Sequence, residues 1–203
     1  MKTIIVALAS VAALGACVDQ FEDADESELA EVESGVFTDL NRNTQGAQVR
    51  IKSMSRNLDG SDPNLCMDVA GGNPTTGTPI VQFPCHPDQL NSRAQRFFLA
   101  SVTLANTTFQ IQSRVDTAKC VGVGANDRLI LTPCEVAGVV PEATKFRIDS
   151  SDLTAVVSHG RLRSVGAVNK CVDVPNGSKA QSLMLQVYAC HTGANQQWEL
   201  SNR

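Results

Sequence analysis

Five side chains near the C-terminal end carry the chemistry of a site: Asp173, Gln186, Tyr188, Asn195 and Gln196. A carboxylate accepts two vicinal hydroxyl protons with geometric selectivity. Such charge-assisted bonds contribute roughly 1.5–3 kcal/mol each. Tyr188 offers a flat apolar face with a polar hydroxyl at its tip. Asn195 supplies both a donor and an acceptor. Together these groups suit a ring with a polar edge and an apolar C–H face, as in a pyranose.

The spacing brings them to one place if Asp173 and Gln186–Tyr188 lie on strands, where alternate side chains share a face. Cys171 and Asp173 then point one way; Gln186, Tyr188 and Cys190 point one way on the partner strand. A Cys171–Cys190 bridge ties the two faces together. Val172, Val174, Leu185 and Val187 turn in the opposite direction, into a core. Taken singly, each residue is more often structural, Asp173 as a loop anchor and Tyr188 as a barrel cap; the five together favour binding.

The elements that position this set occur three times. Cys66-Met67-Asp68-Val69, Cys120-Val121-Gly122-Val123 and Cys171-Val172-Asp173-Val174 each open a segment that closes on Cys85, Cys134 or Cys190. An aromatic follows each: Phe97, Phe146 and Trp198. The opening cysteines are 54 and 51 residues apart and the aromatics 49 and 52 apart, the signature of a repeat architecture. Six cysteines allow fifteen pairings; the repeat selects Cys66–Cys85, Cys120–Cys134 and Cys171–Cys190.

Each repeat predicts four short strands: 49–54, 65–70, 79–84 and 96–100; 109–115, 120–123, 129–132 and 145–149; 162–165, 171–174, 183–188 and 197–200. No segment has a 3.6-residue apolar period, so the expected class is all-β with twelve strands. The repeats run over about 46–100, 101–149 and 150–203.

The flanks differ from this domain. Residues 1–17 read as an export signal, with Lys2 ahead of an apolar run from Ile4 to Leu14. That run is too short for a permanent transmembrane helix. Export implies an oxidising compartment in which paired cysteines bridge. Residues 18–45 read as an acidic flexible tether: 18–36 hold eight Asp and Glu and no Lys or Arg. The whole chain is at −4. From residue 45 onward fifteen Lys and Arg face twelve Asp and Glu, a scattered +3 with no nucleic-acid footprint.

The threefold constellation of Cys-x-Asp-Val, aromatic-x-Cys and Gln-x-Trp resembles the ricin-type β-trefoil lectins over roughly residues 46–203. The resemblance implies a six-stranded barrel capped by three hairpins, with pseudo-threefold symmetry. It implies a glycan or polysaccharide partner and up to one shallow pocket per repeat. It places sugar contacts on Asp173, Gln186, Tyr188, Asn195 and Gln196, and makes Phe97, Phe146 and Trp198 core anchors. Leu14-Gly15-Ala16-Cys17 is similar to the lipobox of bacterial lipoproteins, implying a lipid anchor at Cys17 that holds the protein at the outer membrane or cell surface; the alternative is simple secretion. The first repeat keeps Asp68, Phe83 and Gln95 but has Val81 and Ala94 where the third has Gln186 and Asn195. Its Gln82 falls on the buried face, so this site is expected to be weak or altered in specificity. The second repeat has Gly122, Thr132 and Thr144 at the key positions and is expected to be structural only.

Catalysis has no sequence support. Gly-x-Ser-x-Gly, His-Glu-x-x-His and phosphate-loop motifs are absent. No Cys-x-x-Cys accompanies the scattered His86, His159 and His191, so neither a metal nor another cofactor is expected. The expectation is non-catalytic binding. The rivals are a trefoil with a protein target, such as an inhibitor or surface adaptor, and a sugar-targeting subunit of a separate enzyme.

Overall fold

The computed structural model describes residues 48–87, 92–102, 108–149 and 157–201. The export signal, Cys17 and the acidic segment lie outside the described residues. The strands are β1 (Gln48–Ser53), β2 (Leu65–Val69), β3 (Ile80–Pro84), β4 (Phe97–Ser101), β5 (Phe109–Ser113), β6 (Lys119–Val123) and β7 (Leu129–Pro133). They continue as β8 (Lys145–Asp149), β9 (Val157–Ser164), β10 (Lys170–Asp173), β11 (Leu183–Met184), β12 (Gln186–Ala189) and β13 (Trp198–Ser201).

Six of these close a barrel. Each is antiparallel to the next around the ring β1, β4, β5, β8, β9, β13 and back to β1. Closure removes the exposed edges that an open sheet would carry. Six of the remaining seven form three hairpins, β2/β3, β6/β7 and β10/β12, and the short β11 pairs with β3. Each hairpin's first strand is joined to the first strand of its own repeat, as at Lys52↔Cys66, Gln112↔Cys120 and Cys171↔Arg163. The architecture is a β-trefoil of three four-stranded repeats.

The core follows from strand alternation. Val49, Ile51, Ile111, Leu162 and Leu200 fill the barrel, and Phe97, Phe146 and Trp198 are wholly buried at equivalent places. The indole N–H of Trp198 donates to the Val172 carbonyl at 3.0 Å, so the larger ring leaves no orphan donor. The three expected disulfides are present, each fastening a hairpin at Cα separations of 4.9–5.0 Å.

Two elements depart from the sequence expectation. β9 starts at Val157, five residues before the expected 162. The run expected over 183–188 is broken at Leu185 into β11 and β12. Leu185 leaves its own hairpin because it serves the other two: its N–H donates to Ile80 and its carbonyl accepts from Leu129. Ile80, Leu129 and Leu185 are all wholly buried where the three hairpins meet. β11 consequently pairs with β3 of the first repeat, Met184 opposite Val81. Gln82 reinforces that seam: its amide donates to the carbonyls of Ser178 and Ala180, 96 and 98 residues away, while its buried Oε1 has no partner.

Candidate functional site

The third repeat brings its predicted residues together. The β10/β12 register sets Asp173 opposite Gln186 and Cys171 opposite Tyr188. The 3-10 turn Ala194–Gln196 then folds two more amides back over the carboxylate. Gln186 donates to Oδ1 of Asp173 at 2.9 Å; Asn195 and Gln196 donate to Oδ2 at 2.6 and 3.1 Å. An ionised carboxyl offers about four acceptor sites, so one stays open beside three amides. Asp173 is only 2% exposed. Tyr188, in contrast, is 57% exposed on the partner strand.

Gln196 is wholly buried, with its amide nitrogen donating twice and its oxygen engaged. Besides Asp173 it donates to the Ala189 carbonyl and accepts the His191 N–H. It therefore holds the carboxylate from behind and presents no atom to solvent. Gln95 of the first repeat does the same, bonding the Pro84 carbonyl and the His86 N–H while 3% exposed.

Two neighbours of the third-repeat cluster were not singled out from the sequence. Nε2 of His191 lies 3.7 Å from Oδ2 of Asp173, and its Nδ1 accepts the Gly193 N–H at 3.0 Å. That acceptor role at Nδ1 places the neutral ring's proton on Nε2, facing the carboxylate. Arg128, from the second repeat, bridges to Gln186 through the backbone and extends toward the Met184 carbonyl. His191 follows Cys190, a position that carries no spacing signal of its own. Arg128 is brought in by contact between hairpins, for which no local spacing rule exists.

The first repeat has the same backbone with different surroundings. Asp68 stands opposite Val81 and Cys66 opposite Phe83. Asp68 is 8% exposed, and burial raises its carboxyl above the usual 3.8, against the lowering effect of the Gln95 hydrogen bond. It faces a cavity of about 480 Å³ lined by Gly71, Gly72, Val81, Phe83, Ala94 and Met184, among others. Phe83 is 40% exposed. The turn above the cavity uses Gly71 and Gly72, both at φ +62°. The corresponding turns carry Asn126-Asp127 and Asn176-Gly177, also with positive φ. Asp127 reaches across to pair with Lys170 at 2.6 Å.

The second repeat is filled. A Cβ on Gly122 would lie 2.5 Å from the Thr132 methyl and 3.3 Å from that of Thr144. Gln110 donates to the Thr144 hydroxyl and to the Cys134 carbonyl at 2.7 Å each. Threonine methyls thus occupy the space that a carboxylate takes in the other repeats.

No protein-family model matches the sequence. Comparison with solved structures agrees on the fold: the neighbours, ricin B-like lectins among them, are β-trefoils. A mosquitocidal holotoxin superposes with a TM-score of 0.62 at 13% identity, over 79% of this chain and 18% of that chain. The chain thus spans under a fifth of the toxin's length. The designed threefold-symmetric protein ThreeFoil gives 0.57 at 18% identity, over 76% and 98% of the two chains. The C-half of the earthworm R-type lectin, solved with GalNAc, gives 0.55 at 14% identity, over 76% and 98%.

Proposed function

We propose that the protein binds carbohydrate without transforming it, principally through the third repeat. The observation that carries this reading is the Asp173 carboxylate, oriented by three amides beside the exposed ring of Tyr188. One open acceptor site on Asp173 takes a sugar hydroxyl. Gln186 and Asn195 lie where an adjacent hydroxyl would fall, and Tyr188 covers the C–H face of the ring. Orientation before binding reduces the ordering cost, which matters for so small a contact. The earthworm lectin of the same fold was solved with GalNAc, which supports a sugar as the ligand class.

Millimolar binding corresponds to about −4 kcal/mol. Loss of one charge-assisted contact of about 2 kcal/mol takes such affinity out of measurable range. The test is a glycan array, followed by titration of wild type, Asp173→Ala and Asp68→Ala with the best glycan. Loss in Asp173→Ala with retention in Asp68→Ala is expected. The reverse pattern overturns the ranking of sites, and an array with no signal overturns sugar binding itself.

Export and lipid anchoring belong to the same proposal. Cys17 follows Leu14-Gly15-Ala16, and the other six cysteines are bridged to one another. The anchored form would sit at the outer membrane or cell surface. Mass spectrometry of the mature N-terminus should find a diacylated or triacylated Cys17, and Cys17→Ser should abolish membrane partitioning. Unlipidated wild type in the medium overturns the anchor.

A further inference from the structure

We infer that Arg50, Arg96 and Arg114 form a binding site for a tetrahedral oxyanion, phosphate or sulfate, on the barrel wall where the first repeat meets the second. Free ions and ester groups on larger molecules present this same chemistry. The carbohydrate reading uses none of the three residues, and the inference does not rest on it.

Strand register sets these residues in a row. β1 opposes β4 with Val49 beside Phe97, which places Arg50 opposite Arg96. β4 opposes β5 with Phe97 beside Ser113, and the Arg114 N–H donates to the Arg96 carbonyl at 3.0 Å. Val49, Ile51, Phe97 and Ser113 are wholly buried on the barrel side, so alternation sends the three arginines the other way. Adjacent strands lie about 5 Å apart, and like charges directly opposite one another destabilise a sheet. Arg96 is nevertheless only 4% exposed. Its burial and the fields of Arg50 and Arg114 hold its guanidinium below the usual 12.5.

The same row recurs in the other two repeats and is satisfied there. Its second version is Gln110, Lys145 and Val165; its third is Arg161, Gln197 and Met54. Gln110 donates to the Cys134 carbonyl and the Thr144 hydroxyl, and Lys145 pairs with Glu142. Arg161 pairs with Asp149 at 2.9 Å. In the first row three cations stand together. Among the described residues no carboxylate pairs with Arg50 or Arg114. The Arg50 Nε is buried without a hydrogen-bond partner. Burying cationic groups in this way is costly unless an anion joins them. Guanidinium forks match the oxygens of phosphate and sulfate two at a time, which makes a tetrahedral oxyanion the group that suits the row.

The test is isothermal titration calorimetry of the full chain with sodium sulfate and sodium phosphate, at an ionic strength held constant with chloride. Saturable binding of at least one oxyanion is expected. The substitutions come from the chain's own repeats: Arg50→Gln copies Gln110, Arg96→Gln copies Gln197 and Arg114→Met copies Met54. Each should weaken the oxyanion about tenfold or more, the loss expected for a charge-assisted contact. Arg56→Gln, at an exposed arginine outside the row, should leave the affinity unchanged. Thermal melting gives a second reading. With repulsion relieved, Arg50→Gln should melt no lower than wild type in chloride, and it should lose the rise that the oxyanion gives wild type. Glycerol 3-phosphate and galactose 6-sulfate separate the sources. Tighter binding of either than of its inorganic ion, weakened by Arg50→Gln, assigns the oxyanion to a lipid headgroup or to a glycan ester; tighter binding of neither assigns it to the free ion. The inference is overturned by no saturable binding above chloride, by binding that survives all three substitutions, or by an Arg50→Gln variant equally destabilised with and without the oxyanion. None of these outcomes bears on the glycan array, so the carbohydrate reading stands or falls separately.

Discussion

The first and third repeats hold a carboxylate at the same place, on the same strand, behind the same disulfide, and treat it in opposite ways. Asp173 is gripped by three amides with a histidine 3.7 Å away. Asp68 has Gln95 behind it and an apolar cavity in front. The backbone that creates a site is thus separable from the side chains that set its polarity. The second repeat extends the point: two threonine methyls close the position altogether.

The comparison breaks most visibly if the third repeat is given the first repeat's surroundings. Gln186→Val/Asn195→Ala leaves Asp173 buried with Gln196 as its remaining amide donor. Urea unfolding should show a loss of about 2–4 kcal/mol, since each buried polar group stripped of a partner costs about 1–3 kcal/mol. Little change would show that the amides orient the carboxylate without stabilising the fold.

Next in size is the second repeat. Gly122→Asp forces a Cβ to within 2.5 Å of Thr132. It should cost about 1–3 kcal/mol by overpacking and create no sugar binding. New binding in this single variant would mean that a carboxylate alone suffices.

Tyr188→Ala and Phe83→Ala should each weaken only their own repeat's site. A stacking loss of about 0.5–1.5 kcal/mol corresponds to roughly two- to thirteenfold in Kd. Thermal stability should be nearly unchanged, because both rings are substantially exposed.

The smallest effect is one of pH. The carboxyl of Asp68 titrates above 3.8 because it is buried. Any sugar affinity of the first repeat should fall as pH drops through that raised value, where the Asp68 acceptor becomes protonated. Its linkage to stability has the reverse sign. The ionised form is disfavoured in the fold, so the cost of burial is relieved as pH falls from the raised value toward 3.8. Asp149 behaves oppositely. Its hydrogen bond from Arg163 holds it below 3.8, so its stabilising contribution is present above 3.8 and is lost as pH falls through the lowered value. Asp68→Asn and Asp149→Asn should therefore alter the acid limb of a pH–stability curve in opposite directions.

Much of this arrangement was legible in the residues. Strand alternation put Asp173, Gln186 and Tyr188 on one face and their neighbours in the core, because a period of two survives any packing. The cysteine period selected the bridges for the same reason. The burial of Gln95 and Gln196 was not legible, since a polar side chain in a loop gives no sign of which backbone groups it will satisfy. Neither was the break at Leu185, where contact among three hairpins overrides the continuity of one strand. Met184 and Arg128 were hidden too. Met184 lines the first-repeat cavity and Arg128 bridges to Gln186 through the backbone, and both adjacencies are properties of the assembled trefoil.

The seam made by Gln82 and β11 has a consequence in time. Its donors and acceptors are 96 and 98 residues apart, and the pocket beside it takes Met184 as a wall. Chains emerge from the N-terminus and long-range closure is slow. Asp68 and Phe83 are made early, yet they face no cavity until the third repeat has docked. The site encoded first is among the last to exist, and its appearance marks the moment at which the two ends of the barrel have found each other.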